Sequence, residues 1–299
     1  MSDLWIAIGT MGTLGVLVAI AMAMWLRPPS EFADLGSQPS VPSHWSSWIA
    51  SIAALSSLAL IFFSKDRIFW ANWIPSSAAI VWSNLTVIAL AVAAGAAYRL
   101  PRRPKWRQVF GAVSLLFLMV ATLFQPILQP LFRPVYGGNQ WADGGVCIQS
   151  HDRTCSAAAG ATLLRASGVE VSEAQMVQWC LTDARGTPSL GLWRGLVKAT
   201  AGQNTRPMVI KATAIELIES GPYPCIVVVG LPRFGADPKY VRRYGWAPGF
   251  RHSVVLFGIK PDGMVDIGDP AIGREAWSQE DLRVLYRDEA IVLAPRSPT

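Results

Sequence analysis

Four apolar runs, none containing a Lys, Arg, Asp or Glu, dominate the first 130 residues: Leu4–Leu26, Trp45–Phe63, Ile74–Tyr98 and Gln108–Leu128. Each approaches the roughly 20 helical residues that a bilayer core requires. One such run can be a buried core helix, but four in succession leave a short chain no soluble core large enough to hide them. Trp45, Trp48, Trp70, Trp73 and Trp106 stand at or near the run ends, where an amphipathic ring favours the headgroup layer. The first run is too long for a signal-peptide core and no basic segment precedes it, so a retained helix is expected. Asn84 and Gln125 inside the runs suit hydrogen bonds between helices. The sequon at Asn84 falls within a span and is discounted.

Charge divides the chain in two. Residues 1–132 hold eight of the 26 Lys and Arg and four of the 20 Asp and Glu, and residues 133–299 hold the rest. The expected organisation is a four-helix transmembrane region over 1–132, a Gly-bearing linker over 133–144 and a soluble domain over 145–299. An excess of +2 on that domain is too small for a nucleic-acid face. Loops 27–44 and 99–107 carry Arg27, Arg99, Arg102, Arg103, Lys105 and Arg107, against Lys65, Arg67 and Arg133 on the opposite side. The positive-inside rule then makes the chain a multi-pass membrane protein with its soluble domain on the extracytoplasmic side.

Within that domain helical signals come first and strand signals later, the order of an α+β fold. Cys155 to Ser167 reads as a helix stopped by Gly168, Ser172 caps a second, and Ile215–Ile218 is a third closed by Gly221-Pro222. Cys225–Val229 suits a buried strand. His252–Gly258, the Pro261-Asp262-Gly263 turn and Met264–Ile267 suit a hairpin. Leu231–Phe250, with Arg233, Lys239, Arg242 and Arg243 among Phe234, Tyr240, Tyr244 and Trp246, reads as a long loop. It is either a solvated connection or a lid touching headgroups or guiding a peptide.

Of the four cysteines, Cys155 alone falls at a predicted helix start, where N–H groups and the dipole stabilise a thiolate. Cys147 lies before any element, Cys180 at a helix end and Cys225 in a strand; these three could pair as disulfides in an oxidising compartment. A cysteine nucleophile needs a base, an orienting group and oxyanion donors. His252 opens the strongest strand, and Asp269 in Gly268-Asp269-Pro270 follows the return strand. Gln149, Cys155, His252 and Asp269 therefore form an ordered set of oxyanion donor, nucleophile, base and orienter. Two other readings stay open. Cys147, His151 and Cys155 recur at four-residue intervals, and with Cys180 could hold a structural zinc ion. The domain could also be an inactive peptide-binding scaffold.

On Gln149 with Cys155 six residues later, the alanine-rich stretch Ala157–Leu164, Gly168, and the His252–Gly258 strand leading to Asp269-Pro270, residues 145–299 resemble the double-glycine, or bacteriocin-processing, cysteine peptidases of the papain-like group. The resemblance implies a papain-like α+β fold with no cofactor, acting on a peptide or protein by thiolate attack through an acyl-enzyme. It implies Gln149 as oxyanion donor, Cys155 as nucleophile, His252 as base and acid, and Asp269 as orienter. Thr182 and Gly186-Thr187 resemble a segment of membrane-linked relatives. Ser156 stands where the family usually has Gly, and no P-loop pattern occurs in the 299 residues. The expected partners are the substrate, the lipid bilayer and a membrane partner protein such as an exporter.

Overall fold

The computed structural model describes residues 1–26 and 44–296; Arg27 of the basic count and the last three residues of the soluble half lie outside them. The chain forms two compact units, one of residues 1–67 and 80–128, the other of residues 68–79 and 129–299.

The first unit is helical: α1 (Ser2–Trp25), α2 (Trp45–Phe63), α3 (Ala79–Trp82), α4 (Thr86–Ala97) and α5 (Lys105–Phe132). It holds four helical stretches long and apolar enough to cross a membrane, with 79–97 counted as one. The third differs from the expected unbroken run. Its first part, residues 74–78, which holds Pro75, is not helical, and Ser83-Asn84 separate α3 from α4. Asn84, between α3 and α4, turns its amide to the Thr122 carbonyl of α5 at 3.0 Å, and Gln125 of α5 accepts from Lys65 in the turn after α2. Small residues fill the buried face of α4, where Ala91, Ala93, Ala94 and Gly95 pack inward. A side chain on Gly95 would strike the Ala19 carbonyl of α1, so glycine permits this close approach. Leu17, Leu55, Phe62, Phe110 and Phe117 point outward, an apolar surface of the kind a bilayer covers. The last helix runs to Phe132, past Pro126 and Pro130, rather than ending at Leu128.

The second unit starts with a short hairpin, β1 (Gln140–Ala142) against β2 (Val146–Ile148), so part of the stretch read as linker is ordered strand. Then come α6 (Cys155–Ala166), α7 (Glu173–Trp179), α8 (Ser189–Ala199), β3 (Thr205–Ile210), α9 (Ala214–Ser220), β4 (Cys225–Gly230), α10 (Pro238–Tyr244), β5 (Arg251–Ile259), β6 (Val265–Asp269), β7 (Gly273–Trp277), α11 (Gln279–Leu285) and β8 (Tyr286–Pro295). Strands β3 to β8 make one antiparallel sheet in the order β3-β8-β4-β5-β6-β7. Helices first and an antiparallel sheet after is the expected α+β order.

Alternation along the strands divides the side chains. Cys225, Val227, Val229, Val254, Leu256, Val265 and Ile267 join Leu217, Leu282 and Tyr286 in one buried cluster. Helix α6, mostly alanine and leucine on its packed side, lies against β5. Ser172 and Thr213 start α7 and α9 with reciprocal capping boxes, each a device that satisfies two otherwise open backbone donors. The expected loop Leu231–Phe250 instead contains α10, capped by Asp237 and ended by Gly245 in the left-handed conformation. At Gly230 any side chain would meet the Phe250 carbonyl, so the end of β4 passes close under the residue that leads into β5.

Candidate active site

Helix α6 begins at Cys155, and no side chain caps it; Thr154 spends its hydroxyl on the His151 carbonyl instead. The first N–H groups of α6 therefore stay open beside the thiol. His252 is the second residue of β5, held by pairing with Val229 of β4. Asp269 ends β6, and its Oδ1 accepts from the Ala271 N–H at 2.7 Å and bonds His252 Nε2 at 2.7 Å. With the carboxylate accepting at Nε2, that nitrogen carries the proton and Nδ1 is left to face the thiol. Gln149 follows β2, and its N–H donates to the Pro270 carbonyl at 2.8 Å, which ties its loop to the Asp269 turn. Gln149, Cys155, His252 and Asp269 line one cavity of about 530 Å³. The fold brings all four named residues together.

Electrostatics single out Cys155. Burial alone would raise its pKa, but hydrogen bonding with His252, the imidazolium charge, the Ser253 N–H and the Ser156 hydroxyl together lower it. Burial would conversely lower that of His252, yet Asp269 and the thiolate raise it. The two shifts describe a thiolate–imidazolium pair. The other three thiols are buried and free, not paired as disulfides. Burial pushes Cys147, Cys180 and Cys225 each up to about 12, with the Glu173 charge adding to the effect at Cys147. Cys147 sits in β2, His151 in a turn and Cys155 in a helix, so their four-residue spacing never becomes one face. Among the described residues no group of His, Cys, Asp and Glu could hold a metal ion, and the expected zinc alternative has no ligand set there.

Around these four the structure brings Trp246 and Thr187, already marked in the sequence, together with Trp277, Glu275 and Glu173, which were not. Trp246, from the segment after α10, sets its ring edge-to-face at 6.2 Å from His252 and 6.0 Å from Trp277, walling the imidazole with aromatic surface. Trp277 donates to Glu275 at 2.7 Å, and burial with the nearby Asp269 charge raises the pKa of that carboxyl. Thr182 and Thr187 share a 2.8 Å hydroxyl bond across a turn closed by Asp183 and Gly186. That turn borders a second cavity of about 310 Å³, which Cys155 also lines, together with Ser156, Thr187, Pro188, Ile226 and Ile291. Glu173 is fully buried and accepts from the Gly138 N–H at 2.7 Å, the Ser150 N–H at 2.8 Å and the Ser150 hydroxyl at 2.5 Å. It anchors the residue next to Gln149. Glu173→Ala removes the shared charged acceptor of three hydrogen bonds, each worth about 1.5–3 kcal/mol. A fall of at least about 3 kcal/mol in stability is expected, measured by denaturant unfolding of the purified chain.

The site stands within the segment that matches a known family. The peptidase C39 family matches residues 145–298. A comparison with curated proteins gives no match. Among solved structures, a double glycine motif protease from an AMS/PCAT transporter, determined in complex with the leader peptide, is 22% identical. That similarity covers 50% of this chain and 91% of that one, with a TM-score of 0.39. The peptidase domain of Streptococcus ComA, a bi-functional ABC transporter involved in a quorum sensing pathway, is 25% identical. It is covered to 97%, against 50% of this chain, at a TM-score of 0.39. Since the family match spans more than half of the residues, the chain belongs to the peptidase C39 family and is a cysteine peptidase.

Proposed function

We propose that the chain is a membrane-anchored peptidase that cleaves a leader-type peptide, with Cys155 as nucleophile, His252 as acid and base, Asp269 as orienter and Gln149 as oxyanion donor. The observation that carries this reading is the convergence of those four side chains on one cavity, with His252 bonded to Asp269. The Cys155 thiolate attacks the scissile carbonyl and forms the C–S bond. The carbonyl electron pair moves onto oxygen, where the Gln149 amide and the open N–H groups of α6 meet it. Collapse of that intermediate breaks the C–N bond as His252 passes its proton to the leaving amine. Water then attacks the thioester, His252 takes its proton, and the acid product leaves with the thiolate restored.

Proton delivery to the leaving amine places the departing segment on the His252 and Trp246 side. The acyl segment then lies along the cavity of Ser156, Thr187 and Ile226. A double-glycine leader is the substrate class suggested by the relative crystallised with a leader peptide. The four apolar stretches would anchor the chain, and the basic-residue asymmetry of their loops puts the peptidase on the extracytoplasmic side.

The test is Cys155→Ala. Near neutral pH an iodoacetamide-type probe should label the wild-type chain at Cys155 and leave the variant unlabelled. Peptides cleaved in the wild-type host should accumulate uncleaved with the variant. A wild-type Cys155 that resists labelling would turn the reading into an inactive binding domain. For sidedness, labelling by an impermeant reagent in intact cells is expected, and labelling only after permeabilisation reverses the orientation.

A further inference from the structure

Ser156 follows Cys155 in α6, and Ser253 follows His252 in β5. Their hydroxyl oxygens lie 2.8 Å apart, and Ser156 Oγ stands 4.0 Å from the Cys155 Sγ. Ser253 is 5% exposed. Both serines and Cys155 line the cavity of about 310 Å³. Two hydroxyls carry two protons, and the bond between them uses one. If Ser156 donates, the spare proton is on Ser253; if Ser253 donates, the spare proton is on Ser156, next to the sulfur. An anionic sulfur favours the second arrangement, because a hydrogen bond to a charged acceptor is stronger than one to a neutral acceptor and chained hydroxyls polarise one another.

We propose that Ser156 and Ser253 form a two-hydroxyl relay that positions and stabilises the Cys155 thiolate, turning toward Sγ while it is charged. Once the sulfur becomes a neutral thioester, the pair reverses and presents the Ser253 proton to the cavity. The relay explains why a hydroxyl is accommodated beside the nucleophile: Ser253 supplies its partner from the strand that also carries His252. It rests on Cys155 being the nucleophile.

The experiment is the pH dependence of Cys155 alkylation by iodoacetamide in the purified chain. The wild type, Ser156→Ala, Ser253→Ala, the double variant and Ser156→Thr are compared. Labelling is specific because the other three thiols are buried, with pKa values near 12. The charged groups facing Cys155 are His252 and Arg251 from β5, Asp269 from β6, Asp152 and Arg153 before α6, Arg185 from the 183–187 turn, and Glu289 from β8. All stay constant across the series. Ser156→Ala should raise the labelling midpoint by roughly half to one pH unit, which makes labelling about 3- to 10-fold slower below the midpoint. Ser253→Ala, which leaves the Ser156 hydroxyl to donate without its partner, should raise it by less. The limiting rate at high pH should hold, which reports an intact site. The double variant should match Ser156→Ala, since Ser253 acts on the sulfur only through Ser156, and Ser156→Thr should return the midpoint toward the wild type. Unchanged midpoints in a chain whose Cys155 reacts would overturn the relay and leave the proposed function standing. Additive shifts in the double variant would overturn it too, by showing two independent contacts. Failure of wild-type Cys155 to react would overturn both.

Discussion

Replacing His252 by alanine is expected to lower kcat/KM for the cleaved peptide by roughly 10³- to 10⁴-fold, or about 4 to 5.5 kcal/mol of transition-state stabilisation. His252 serves twice in the proposed cycle, holding the thiolate before attack and protonating the amine after it. Both uses depend on its Nε2 bond to Asp269, which fixes the ring. The sign of the pH dependence follows from the two shifts. Cys155 has a lowered pKa, so in the wild type the thiolate is present above that value and activity rises as the thiol loses its proton. His252 has a raised pKa, so the imidazolium survives neutral pH and activity falls in the alkaline range as it deprotonates. Without His252, burial of the thiol is opposed only by the Ser253 N–H and the Ser156 hydroxyl. The acid limb should then move to higher pH, and alkylation at pH 7 should slow with it. A loss smaller than tenfold would remove His252 from the reaction.

Gln149→Ala is expected to cost about 10²- to 10³-fold in kcat, equivalent to roughly 2.7–4 kcal/mol, the usual range for one oxyanion donor. Its KM should change little, because the oxyanion exists only after attack. The substitution leaves the main chain in place, since the residue is held through its N–H to Pro270 and through Glu173 on the Ser150 N–H. Alkylation of Cys155 forms no oxyanion, so the labelling rate should equal that of the wild type. That combination, slow turnover with normal thiol reactivity, separates an oxyanion role from a general loss of structure. Equal losses in both measurements would assign Gln149 to holding the loop instead.

Several elements were legible from the residues alone. The charge-free runs mark the four apolar helical stretches, because a polar group without a partner is too costly in hydrocarbon. Cys155 falls at a helix start, since the alanine-rich stretch after it favours helix and Gly168 stops it. The β5 and β6 segments show as the apolar run Val254–Phe257 and the shorter Met264–Ile267 around a Pro261-Asp262-Gly263 turn. The interruption of the third run and the helix inside 231–250 were less visible. Broken helices have no periodic signature of their own, and the seven residues of α10 are too few to stand out. Helix α8, with Gly191 and Gly195 in its interior, likewise has weak propensity and forms because its buried face packs against α6 and α7.

The sequence by itself determined which groups have the chemistry: one cysteine at a helix start, one histidine at a strand start, an Asp-Pro turn and a glutamine six residues before the cysteine. Local propensity sets these, and the chain neighbours that carry propensity are visible in the sequence. Only the tertiary structure decided their surroundings. The packing of Trp246 on Trp277, the Glu173 anchor, the two-cavity cleft and the Ser156–Ser253 bond each join residues that lie tens of positions apart or more. Contacts of that kind depend on how α6 lies on β5 and how β5 sits between β4 and β6. Packing of whole faces sets that arrangement, and no short window of residues records it.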